Sequence, residues 1–150
     1  MNINDVIDAL TDVIESATGI RCGMFVDNPV LPAVMIYPDD IGGETYYRTM
    51  KGGTFELPLV VEIVASSADV AGWQRWLNDV ISPDGELSIP KVVLDNPTLG
   101  TAPDENTGNA NARCSATVTG VSGYGIAAGL DGKRVLGARI GVTVLTRGVS

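Results

Sequence analysis

Histidine is absent from all 150 residues, and this removes more chemistry than any other feature of the chain. Without an imidazole there is no Ser-His-Asp triad, no Cys-His pair, no H-E-x-x-H zinc site and no histidine general base. Cysteine is nearly absent too. Cys22 and Cys114 are the only two, too few for a disulfide framework and far apart in sequence, so buried thiols are expected. No apolar run reaches the ~20 residues needed to span a bilayer. The opening segment carries Asp5, Asp8, Asp12 and Glu15, the wrong sign for a signal or transit peptide. The glycosylation-like triplet Asn96-Pro97-Thr98 contains the excluded proline. These absences predict a soluble, intracellularly made domain that is not an enzyme, with no cofactor, no metal and no membrane partner.

What is present is globular. Hydrophobic residues make up 45% and charged residues 19%, enough for one domain with its own core. The net charge of −8 is unevenly spread. Residues 1–105 hold 17 acids against 5 bases, net −12, whereas residues 106–150 hold 1 acid against 5 bases, net +4. Such segregation suits a head-to-tail contact in which a basic surface of one copy, with Lys133, Arg134 and Arg139, meets an acidic surface of the next. Tight binding to a phosphate backbone needs clustered Lys and Arg, which the overall charge argues against.

Periodicity divides the chain into elements. Asn4 is placed to cap a helix over 4–17, whose apolar stripe is Val6, Ile7, Leu10, Val13, Ile14 and Ala17. Strands follow over 20–26 and 33–37. Residues 38–53, with four glycines and no clean period, read as a long mobile loop or an extended β-arm. The segment 55–65 is the strongest strand, although Pro58 should place part of it at an edge or bulge. Ser66 or Ser67 opens a helix carrying Val70, Trp73, Trp76, Leu77, Val80 and Ile81, with both tryptophans facing inward. Ser88 and Pro90 give the cap and first-turn proline of a short helix over 89–94. Strands over 116–121 and 135–145 flank a hairpin tip at 129–132. This order means α+β, a mostly antiparallel sheet with two to three helices packed on one face.

No motif carries catalysis. Gly123-Tyr124-Gly125-Ile126-Ala127-Ala128-Gly129 has dinucleotide-loop flavour, but its spacing is one residue too long and no βαβ unit surrounds it. It reads as a Gly-rich strand or bulge. Gly132-Lys133-Arg134 lacks the Ser or Thr and the first glycine of a phosphate loop. Asp39-Asp40 and Asp84-Gly85-Glu86 lack calcium-loop spacing and read as turns. A small hydrolase using these carboxylates as acid and base is the alternative of a different class.

The layout resembles the tail terminator family of long-tailed (siphovirus-type) bacteriophages, particularly those of actinobacterial hosts. The resemblance rests on the helix from Asn4 to Ala17, the proline-broken bend Asn28-Pro29-Val30-Leu31-Pro32, the Gly-rich arm and the long strand Phe55–Ala65. It continues through Ser66-Ser67-Ala68-Asp69, Ile81-Ser82-Pro83-Asp84-Gly85, Ser88-Ile89-Pro90-Lys91 and Asn96-Pro97-Thr98-Leu99-Gly100, and ends in a hairpin holding Val121–Gly125 and Val135–Ala138. The resemblance implies a single domain of the lambda-type tail terminator kind and a homo-oligomeric ring of six subunits in the virion. Such a ring caps the tail tube, stops addition of tube protein and presents a surface to the head-side connector protein. It also implies assembly in the host cytoplasm and a lumen through which DNA passes without specific binding. Other head–tail connectors and neck or head-completion proteins share much of this layout, so that reading stays open beside it. Within the arm, Tyr46, Tyr47, Arg48, Met50 and Lys51 are the candidate partner anchors, since aromatic and Arg side chains dominate such contacts. Lys133, Arg134 and Arg139 are the candidate ring-interface bases.

Overall fold

The computed structural model describes residues 3–24, 31–39, 50–51, 54–66, 70–99, 114–128 and 134–147. Its elements are α1 (Ile3–Thr18), β1 (Cys22–Gly23), β2 (Ala33–Pro38), β3 (Met50–Lys51), β4 (Thr54–Ser66), α2 (Val70–Ile81), α3 (Ile89–Asp95), β5 (Cys114–Ala128) and β6 (Arg134–Arg147). The class is α+β. A five-strand path β1-β2-β4-β6-β5 forms the sheet, with β3 added to β4, and three helices pack against it. Every pairing is antiparallel except β1 with β2, where Cys22 lies opposite Val34.

Strand alternation decides which face is covered. In register, Val34, Ile63 and Ala138 form one cross-strand row, and Ile36, Val61 and Ile140 form another. All of these are buried in one cluster with Val6, Leu10 and Ile14 of α1, Leu77 and Val80 of α2, and Ile89 and Val93 of α3. Because side chains alternate across a strand, the helices therefore share one face of the sheet. Full burial of a Leu, Ile or Val contributes about 1.5–3 kcal/mol of transfer free energy, so this face holds most of the stabilising contacts. Trp73 and Trp76 are partly buried against the same core and meet edge to face, with ring centroids 5.5 Å apart, as inward packing predicts.

Several sequence expectations shift. The first helix starts at Ile3, so Asn4 sits inside its first turn and is not the cap; Ala17, expected on the apolar stripe, is exposed. It lies two residues before Gly19, which ends the helix with φ +71 and an N–H bonded to the Glu15 carbonyl. Ser66 closes β4 and so does not open α2, and Ser67 lies outside the described residues. The strand expected over 20–26 is described only at Cys22–Gly23, residues 25 and 26 lying outside the described set. Pro58 does not sit on an edge strand, because β4 lies between β2 and β6. The physical reason is local. The Pro58 carbonyl accepts the Asp39 N–H at 2.9 Å, one residue past the end of β2. The missing donor thus falls where that ladder stops anyway.

The Ser88 cap is present. Its backbone is extended, its Oγ accepts the Lys91 N–H at 3.1 Å and donates to the Ser82 carbonyl, and Pro90 lies in the first turn. Ser88 is fully buried, so a change to Ala strands two backbone groups at once. Ser88→Ala lowers unfolding free energy by about 1–2 kcal/mol, read from urea denaturation. Gly137 supplies a second test, because an added Cβ would lie 2.6 Å from the Ile63 carbonyl oxygen. Gly137→Ala therefore costs about 1–3 kcal/mol by forced backbone movement, while Gly23→Ala, whose Cβ meets nothing within 4 Å, serves as the mild control.

Candidate assembly surfaces

The face of the sheet away from the helices carries a three-member polar network. Met35, Glu62, Arg139 and Ser122 lie in one row across β2, β4, β6 and β5, with Tyr37 one step along β2 on the same face. The Tyr37 hydroxyl donates to Glu62 Oε2 at 3.0 Å, and Arg139 Nε stands 3.5 Å from Glu62 Oε1. Burial and the adjoining carboxylate push the Tyr37 hydroxyl up to about 12 from its usual 10.0, the guanidinium of Arg139 pulling weakly the other way. An ion pair this exposed is worth about 0–1 kcal/mol. Its effect is to orient Arg139, whose side chain remains 56% exposed.

A glycine bulge lies beside it. The second irregularity of β5 lies between Ser122 and Gly125, and Gly123 there has φ +63. The Cγ and Cδ of Arg139 lie 3.7 Å from the point a Gly123 Cβ would occupy. The stem of Arg139 thus lies beside the bulge while its guanidinium reaches Glu62. The Gly-rich run at 123–129 is strand with a bulge over its described part, as its spacing suggested.

The other sequence-nominated residues are dispersed. Tyr46, Tyr47, Arg48 and Lys133 lie outside the described residues. Met50 and Lys51 form β3, paired with Phe55 and Thr54, so the arm ends in a short hairpin. Arg134 opens β6 opposite Ala128, five residues from Arg139 or about 17 Å along the strand. Thr54 is eight residues from Glu62, the partner of Arg139, which puts Lys51 roughly 27 Å from that row. Among the described residues, therefore, Lys51, Arg134 and Arg139 are not gathered into one patch.

Neither do the described carboxylates converge. Asp39 directly follows β2, Asp40 lies outside the described residues, and Asp84 to Glu86 occupy an exposed bend in which Gly85 has φ +118. Among the described residues no three His, Cys, Asp or Glu side chains come together in a way that could hold a metal. A shallow groove between α1 and the turn after α3 is lined by Ala9, Asp12, Val13, Asn96 and Leu99, a single ionisable group among them. Neither cysteine is in a disulfide and both are buried; burial pushes the Cys22 thiol up to about 12, well away from a nucleophilic thiolate. No described helix is long and apolar enough to cross a membrane.

Sequence reasoning missed one surface. Val121, Tyr124 and Ile126 on β5 are 43–45% exposed, and the Tyr124 hydroxyl donates to Asn78 Oδ1 of α2 at 2.9 Å. The available signal was the total lack of Asp, Glu, Lys and Arg over 114–128, unusual for an edge strand.

Neither a scan against protein-family models nor a search of curated proteins returned a match to this chain.

Tyr37 yields a pH test. A hydroxyl whose folded pKa lies above its unfolded value stabilises the fold fully below pH ~10, and that contribution is lost as pH rises from ~10 through ~12. Absorbance at the phenolate band resolves one tyrosine titrating late, and Tyr37→Phe removes that late step and flattens the loss of stability across the same window.

Proposed function

We propose that this chain is a structural head–tail joining protein, a tail terminator of the lambda type, acting as a ring that caps the tail tube. The observation that carries the reading is the anchoring of the arm. The chain leaves the sheet at Asp39, bonded to Pro58, and rejoins it at Met50, opposite Phe55. Both anchor points lie on β4, three residues or about 10 Å apart. The ten residues between them, 40–49, therefore start and finish at one place on the sheet while carrying Tyr46, Tyr47 and Arg48. A segment tethered at both ends loses less entropy on docking than a free tail does.

On this reading the mechanism is geometric and makes no bonds. One ring face takes the tube protein, the other takes the head-side connector, and a net-negative lumen passes DNA without retaining it. Assembly takes place in the host cytoplasm and the finished ring resides in the virion. The α+β layout with its helices on one face supports this, as does the exposed, oriented Arg139 on the other. Another connector or a neck or head-completion protein would use the same surfaces with a different partner.

The partner therefore decides. Tail-tube protein is polymerised with and without this chain, and tube length and end-labelling are read by negative-stain microscopy. Capped, shortened tubes are expected, and replacing Tyr46, Tyr47 and Arg48 together by Ala weakens capping at least ~10-fold, as loss of anchor residues does. Unaltered tube growth with no end-binding sinks the reading, and binding to a portal-side adaptor in its place selects the connector alternative.

A further inference from the structure

The bend between α2 and α3 is tied at its base and open at its tip. Ser82 begins it, with its N–H and its Oγ both donating to the Asn78 carbonyl in the last turn of α2. Ser88 ends it, with its Oγ donating to the Ser82 carbonyl and its N–H to the Gly85 carbonyl at 3.4 Å. The two ends are therefore joined to each other through Ser88, which is fully buried. Pro83, Asp84, Gly85 and Glu86 between them are all exposed.

At the tip a carboxylate and a backbone nitrogen lie next to each other in the chain, and neither is engaged. Among the described residues the Asp84 carboxylate enters no hydrogen bond or ion pair, and the Gly85 N–H donates to nothing. Gly85 has φ +118, and a Cβ built on it would meet nothing within 4 Å, so the space beside this backbone is open. The other described aspartates are placed differently. Asp8, Asp12 and Asp79 lie inside helices, where the dihedrals are fixed and the next N–H bonds to a carbonyl one turn back. Asp95 precedes Asn96, whose N–H bonds to the Val93 carbonyl at 3.2 Å. Among the described aspartates Asp84 alone is followed by glycine.

We propose that Asp84 is a covalent modification site of the folded chain, isomerising through a cyclic imide to isoaspartate. The Gly85 nitrogen bonds to Asp84 Cγ and gives up its proton, a carboxyl oxygen departs with it, and one water is released. Water then adds back to the five-membered ring. Cleavage between the nitrogen and Cγ restores aspartate. Cleavage between the nitrogen and the original backbone carbonyl leaves the chain running through Cγ, one methylene longer. Atoms balance with water as the one co-reactant, and nothing is oxidised or reduced. A side chain on the following residue crowds this closure, and glycine does not. The added methylene falls between Ser82 and Ser88, whose mutual bond closes the bend, so isoaspartate pulls on the buried cap of α3 and loosens its joint with α2. This modification is independent of the assembly reading and of any partner.

The test holds the full-length chain for weeks at neutral pH and body temperature, folded in buffer and unfolded in guanidinium chloride. Samples are mapped by mass spectrometry and with a protease that cuts before aspartate but not before isoaspartate. A form lighter by one water is expected at Asp84, followed by isoaspartate of unchanged mass. Because local opening of an exposed bend costs close to nothing, the folded and unfolded rates at Asp84 should differ by less than ~10-fold. A larger gap shows that the bend locks the bond and overturns the site. Asp84→Asn closes the same ring with loss of ammonia in place of water, and its folded chain should react faster than wild type; an inert Asp84→Asn overturns the ring closure. Aged wild type should unfold at a lower urea midpoint than fresh protein. Aged Asp84→Glu, which keeps Asp131-Gly132 as its remaining Asp-Gly pair, should show no such shift. Isoaspartate at Asp84 with an unchanged midpoint, or an equal shift in Asp84→Glu, overturns the loosened joint.

Discussion

The inward row of β4 is the constraint on which the rest of this fold depends. Leu57, Leu59, Val61, Ile63 and Ala65 are each at most 1% exposed, and their strand is hydrogen-bonded to β2 on one flank and along its whole length to β6 on the other. A one-residue slip would turn that row to the outer face and bring Glu56 and Glu62 against the helices, at a cost far above a domain's net stability. Register is therefore fixed from this strand outward. Once it is fixed, the positions of Glu62, Arg139 and Tyr37 on the outer face follow without further specification. So do the two anchor points of the arm.

The outermost strand departs from that regularity, and its departures have definite consequences. At the first irregularity Thr119 is left without a partner on β6, and its hydroxyl occupies the space over Gly141 where a side chain would otherwise stand. At the second, Gly123 takes φ +63, a conformation side-chain-bearing residues rarely adopt, beside the stem of Arg139. At Gly141, glycine on β6 thus accommodates a side chain from its neighbour β5. The outcome is a border that is twisted and polar on one face and apolar and partly bare on the other. Bulges protect natural edges against indiscriminate pairing, but they do not cover Val121 or Ile126.

Legibility followed signal strength. The helices carrying Leu10, Leu77 and Val93 were readable because their apolar residues recur at helical spacing and because Ser88, Pro90 and Gly19 mark ends with a direct steric or hydrogen-bonding reason. Asn4 misled because a good capping residue near a helix start does not fix the first turn to within a residue. The extension of β5 through Gly123 to Ala128 was harder, since glycines weaken a strand pattern and only the pairing with β6 reveals that it continues. Pro58 illustrates a different gap. Sequence shows that a donor is missing, but not that the partner strand ends there. The Tyr37–Glu62–Arg139 network was invisible for a similar reason: its members lie 25 and 77 positions apart along the chain, and only register brings them together.

Charge along the chain is not carried simply into space. The acidic α1 lies against α3, β1 and β2, while β5 and β6 form the other border of the sheet. Asp79 and Asp95 stand on α2 and α3, the helices that pack against β6 and β5, so acids reach that side as well. Glu62 on β4 meets Arg139 on β6 because those strands are neighbours. Strand order thus decides which opposite charges pair within one copy: with β4 between β2 and β6, a single carboxylate serves both Tyr37 and Arg139.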